Sequence, residues 1–137
     1  MEAVIQSFLA GFPVLMLHSS VTLAILVIAV FLYVKITPYN EIDLIKDGNT
    51  AAAVSLAGAI IGFALPLAFA MASSVTIYEI LIWGPVTLLL QLVAFRITDV
   101  LLSDLPKRII AGQIGAAIFL VSIKIAVAAI NAAAVTG

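Results

Sequence analysis

The chain has 137 residues, 65% of them hydrophobic and 9% charged, with a mean hydropathy of +1.33. Soluble domains are roughly 45–50% apolar, and a core this small could not hide the excess, so the composition calls for a bilayer. The net charge of −1 and pI of about 5.6 lack the strongly basic face that nucleic acid needs, and the absence of cysteine excludes disulfides, thiolate metal sites and a cysteine nucleophile.

In chain order, the N-terminal stretch has no positively charged region of the kind that opens a cleaved signal peptide. Val4, Ile5, Phe8, Leu9 and Phe12 recur at helical spacing. They predict a short helix in the membrane interface, or an outward extension of the first span through a kink at Gly11 and Pro13. A crossing helix needs about 20 mostly apolar residues. Four segments satisfy this, at about Pro13 to Ile36, Thr50 to Ser73, Ile77 to Ile97 and Ile109 to Val135. Lys35 and Lys46 lie in the first loop and Arg96, Lys107 and Arg108 in the third, whereas the second loop and both termini carry neither Lys nor Arg. By the enrichment of basic residues in cytoplasmic loops, both long loops are expected inside and both termini outside.

Lys35-Ile36-Thr37 recurs as Arg96-Ile97-Thr98, and Gly48-Asn49 followed by Ala52-Ala53 recurs as Gly112-Gln113 followed by Ala116-Ala117. The reading is an all-α membrane domain over 1–137, built from two helical hairpins, about 13–73 and 77–135, repeated in the same orientation. A pseudo-twofold along the membrane normal would relate them.

The run Lys35-Ile36-Thr37-Pro38-Tyr39-Asn40-Glu41, with Leu44-Ile45-Lys46, Asn49-Thr50-Ala51-Ala52, Gly58, Gly62, Pro66, Trp83-Gly84, Gln91 and Asn131-Ala132-Ala133, closely resembles the YjfL-like family of bacterial inner-membrane proteins, a domain of unknown function (number 350, UPF0719 type). The resemblance implies paired helical hairpins in an inner membrane and no established activity or site. Lys124 stands outside the residues that carry it.

Candidate functional residues are sparse. Asn40 with Glu41 and Asp43 is expected to cap a helical extension in the first loop, and Ser103-Asp104 before Pro106 to cap the fourth span. The acids Glu41, Asp43, Asp47 and Asp104 lack the regular oxygen-ligand spacing of a calcium loop, and no metal or other cofactor is expected. Ala51, Ser55, Gly58 and Gly62 in the second span, and Gly112 with Ala116 in the fourth, form small-residue stripes suited to close helix packing, within the protomer or between copies. Pro66 predicts a kink in the second span. Asn49 and Gln113 put carboxamides at equivalent points, either bonded to neighbouring helices or lining an entrance.

His18, Glu79 and Lys124 are the ionisable residues away from the loops. Counted from Lys35, Arg96 and Arg108 at about 1.5 Å per residue, each falls roughly 25 Å from the basic rim. They form a candidate polar site near the outer boundary, with Glu79 the expected partner of Lys124. One histidine, no cysteine and no phosphate loop argue against an enzyme. The expectation is an oligomeric scaffold or assembly subunit of the envelope, in contact with lipid, further copies and possible other envelope proteins. The alternative is a small channel or transporter for an ion or small solute.

Overall fold

The computed structural model describes residues 1–137 and is helical throughout. Six helices follow one another: α1 (Glu2–Ile36), α2 (Glu41–Lys46), α3 (Thr50–Ser73), α4 (Ile77–Leu101), α5 (Asp104–Ile110) and α6 (Ile114–Thr136). Four of them, α1, α3, α4 and α6, are long and apolar enough to cross a membrane. The short α2 and α5 sit at one end of the bundle, called here the basic end, and the α3 to α4 turn lies at the far end with both termini.

Three boundaries differ from those expected, the smallest difference being that α4 runs on to Leu101 instead of ending at about Ile97. Residues 2–12 do not form a separate short helix but extend the first span outward, the second of the two arrangements expected, because the helix begun at Glu2 continues through Pro13 to Ile36. A proline removes one backbone hydrogen bond, and the flanking turns, apolar and free of steric neighbours, carry the helix past it. Ile109 and Ile110 belong to α5 rather than to the fourth span. Gly112 has φ +83, a conformation that suits glycine, and the chain turns there before α6 begins.

The same corner occurs after α2. Gly48 has φ +89, and Asn49 N donates to Leu44 O at 2.9 Å as Gln113 N donates to Arg108 O at 3.0 Å. In both, a short helix ends on a left-handed glycine and a carboxamide residue opens a long helix.

The interface between α3 and α6 is the most extensive in the molecule. A Cβ at Gly58 would fall inside the Val121 side chain, and one at Gly62 would meet the Phe95 ring. The stripe Ser55, Gly58, Gly62 is therefore filled within the protomer, as is buried Ala116 on α6. Backbones approach closely there because lipid gives no hydrophobic drive, and small residues maximise contact instead. Gly112 serves the turn and is exposed. Two clusters flank this seam: Ala51, Ala52, Ile109, Ala116, Ala117 and Leu120 near the basic end, and Ala29, Tyr33, Ala59, Phe63 and Phe95 deeper in.

Candidate functional site: a buried charge cluster and two clefts

Lys124, on α6, is 1% exposed. Its Nζ lies 2.9 Å from Asp99 Oδ1 and donates to the Tyr33 hydroxyl at 3.1 Å. The contact to Asp99 is Coulombic rather than a directed hydrogen bond, since Oδ1 has no aligned donor. The ammonium also faces two rings, 5.1 Å from the Tyr33 centroid and 5.0 Å from that of Phe95, a further attraction between cation and quadrupole. Tyr33 in turn donates to Glu41 Oε1 at 3.4 Å, and Ser55 donates to the same oxygen at 3.3 Å. Ammonium, phenol and carboxylate thus form one chain of hydrogen bonds across α6, α1 and α2, with Asp99 of α4 beside it.

Glu41 is fully buried, and Oε2 has no partner. Burial pushes its carboxyl up to about 6, against the lowering pull of Lys124 and the hydrogen bonds from Ser55 and Tyr33. Burial, with the nearby Glu41 charge, also raises the Tyr39 phenol.

This cluster corrects the expected partnership of Lys124. Glu79 sits at the start of α4, where its carboxylate accepts from Val75 N at 2.6 Å and completes a capping box with Thr76. It makes no contact with Lys124. The expected depth assumed one helix from Arg108 onward, but the Gly112 turn intervenes. Lys124 is ten residues into α6, roughly 15 Å of rise. Its side chain leans toward the helix N-terminus, which is the basic end. His18 is half-buried on α1 and only its backbone carbonyl is engaged, by Thr22. His18, Glu79 and Lys124 are therefore not one site.

The two carboxamides also part company. Asn49 caps α3 by accepting from Ala52 N at 3.0 Å, and its Nδ2 donates to Ile109 O at 3.0 Å and Ile110 O at 3.2 Å. It ties the first corner to the end of α5. Gln113 makes no cap bond, and its carbonyl accepts from Arg108 Nε at 2.6 Å. Asn40 caps α2 as expected, accepting from Asp43 N. Ser103 precedes α5, not the fourth span, and makes no side-chain cap bond.

Asp99 and Tyr33 are the functional candidates missed from sequence, and Glu41, expected only as part of a loop-helix start, has its carboxylate buried in the cluster instead. A signal for Asp99 was present: Thr87, Gln91, Phe95 and Asp99 follow at four-residue steps, and such spacing lines one helix face. Gln91 and Thr87 are buried, with Gln91 Nε2 and Thr87 Oγ1 unpartnered, while Gln91 Oε1 accepts from Asn131 Nδ2 at 3.1 Å. Thr87 and Asn131 open into a far-end cleft of about 620 Å³, also lined by Ser74, Glu79 and Trp83. At the basic end a second cleft of about 600 Å³ is lined by Tyr39, Arg96, Asp99, Ser103 and Lys107. Between the two polar stretches stand Phe63, Phe95 and Tyr33, with Phe63 and Phe95 centroids 5.0 Å apart.

Four apolar spans around a buried ionic cluster define a multi-pass α-helical membrane protein. Residues 7–135 match the Domain of Unknown Function DUF350, and the chain belongs to that family. It is 35% identical over 113 residues, 82% of this chain and 86% of the relative, to the UPF0719 inner membrane protein YjfL of Escherichia coli K12, and equally to that of Escherichia coli O157:H7. No solved structure matches.

Proposed function

We propose that the protein is a non-enzymatic inner-membrane channel or transporter for an ion or small polar solute, working along the shared face of α4 and α6. The observation that carries this reading is Lys124 buried between Asp99 and Tyr33. A buried ion pair is a weak source of stability, since its desolvation offsets most of the attraction, and ionisable groups within spans mark pathways. The unpartnered Gln91 and Thr87 atoms support it, because they lie on the same face about two and three turns from Asp99, and Thr87 lines the opposite cleft. The aromatic cluster around Phe95 would be the gate. The basic end is assigned to the cytoplasm by its Lys and Arg content. The two matching helix, glycine and carboxamide corners support the parallel hairpin repeat.

Purified protein in liposomes carrying imposed proton, sodium, potassium or chloride gradients, or a neutral solute, tests this. Wild type should exceed protein-free vesicles for at least one, Lys124→Met and Asp99→Asn should return it to background, and Phe95→Ala should raise it. Wild type indistinguishable from empty vesicles for all of them overturns the proposal.

An oligomeric scaffold is the second reading. The small-residue stripe no longer argues for it, being filled inside the protomer. Instead, residues 2–17 of α1 are exposed throughout, including Phe8, Leu9 and Leu15, and a second copy would cover such a helix. Strictly monomeric protein in nanodiscs removes that reading.

A further inference from the structure

We propose that the basic-end cleft, with the apolar groove beside it, binds an anionic phospholipid, gripping the headgroup phosphodiester and laying an acyl chain along α4. Arg96 of α4 and Lys107 of α5 both line the cleft, together with the hydroxyl-bearing residues Tyr39 and Ser103. Neither Arg96 nor Lys107 is in an ion pair within the chain. Asp99 also lines the cleft, but its side chain is only 12% exposed and Lys124 already occupies it at 2.9 Å. Taking a ligand ammonium there would mean giving up that pair. Among the charged residues lining the cleft, Arg96 and Lys107 against Asp99 leave one positive charge, which matches the single negative charge of a phosphodiester.

The second, independent feature is a groove of about 380 Å³ lined by Leu92, Val93, Arg96, Ile97, Val100 and Leu101. It shares Arg96 and Val100 with the cleft, so polar and apolar spaces meet along one arginine side chain, whose apolar stem lines the groove. A water-soluble anion would use only the first; an amphiphile fills both. Arginine suits this junction because its planar fork pairs with phosphate oxygens while its stem lies on apolar surface. Basic pockets at this level of a membrane protein are where anionic headgroups collect.

The test is native mass spectrometry of the whole protein released from nanodiscs containing equal phosphatidylglycerol and phosphatidylcholine. Phosphatidylglycerol should be retained at least fivefold over phosphatidylcholine. The double variant Arg96→Gln with Lys107→Gln should lose that preference, and Lys35→Gln with Lys46→Gln, basic residues outside the cleft, should keep it. Val100→Ser should reduce retention at least threefold, since the groove holds the chain. Equal retention of both lipids, or preference surviving in the Arg96/Lys107 variant, overturns the proposal. So does inorganic phosphate at millimolar concentration displacing the lipid completely, which would mark a soluble-anion site.

Discussion

At the scale of single residues, the chemistry converges on Lys124 and Glu41. Removing one member of a buried ion pair leaves an uncompensated charge, typically costing about 3–5 kcal/mol, whereas removing both costs far less. Asp99→Asn and Lys124→Met should each lower stability in detergent unfolding, and the double variant should recover much of the loss. Simple additivity would mean that the 2.9 Å contact contributes nothing. Glu41 carries a pH prediction. It faces Tyr33 of α1, Ser55 of α3, Asp99 of α4, Lys124 of α6 and neighbouring Tyr39. Its folded pKa of about 6 lies above its ordinary 4.5, so the folded state holds the proton more tightly. Its contribution is fully present below pH 4.5 and lost as pH rises through 6. The shift corresponds to about 2 kcal/mol. Wild type minus Glu41→Gln should therefore fall by about that much between pH 4.5 and 7, and a flat difference would show that Glu41 is hydrated rather than buried.

At the scale of elements, the α3 to α6 seam and the two glycine corners bear the architecture. Gly58→Ala should cost about 1–3 kcal/mol by overpacking against Val121, and Val121→Ala in the same chain should restore part of it by removing the nearest methyl groups. Loss in the single variant with no restoration in the double would place the clash elsewhere. The helix positions were legible in advance because hydropathy and length alone decide a span. The second span was expected at Thr50 to Ser73, where α3 lies. The start of α6 was not, since Ile109 and Ile110 are as apolar as any span residue, and only the left-handed Gly112 shows that the helix has ended. That single turn shifted the depth assigned to Lys124 and, with it, the choice of partner.

At the scale of the whole molecule, the distribution of basic residues predicts that the two short helices share one side of the membrane. The chain contains no cysteine, so Asp47→Cys and Thr136→Cys each create a unique reporter. An impermeant thiol reagent applied to intact spheroplasts should label Thr136→Cys at once and Asp47→Cys only after permeabilisation. Labelling of both from the same side would contradict an arrangement in which α2 and the C-terminus face opposite compartments. The membrane class, the four spans and the family were all readable from residues in order, because bilayer thickness and apolar content act on each segment locally. The Gly58 and Gly62 stripe was readable as a packing face, but its occupant was not, since Val121 and Phe95 come from helices about 60 and 35 residues away in sequence. Tertiary structure alone decided that Lys124 meets Asp99 and Tyr33 instead of Glu79. Partner choice for a buried charge depends on which helices touch and at what height, and that is set by the turn at Gly112 and the α3 to α6 seam together.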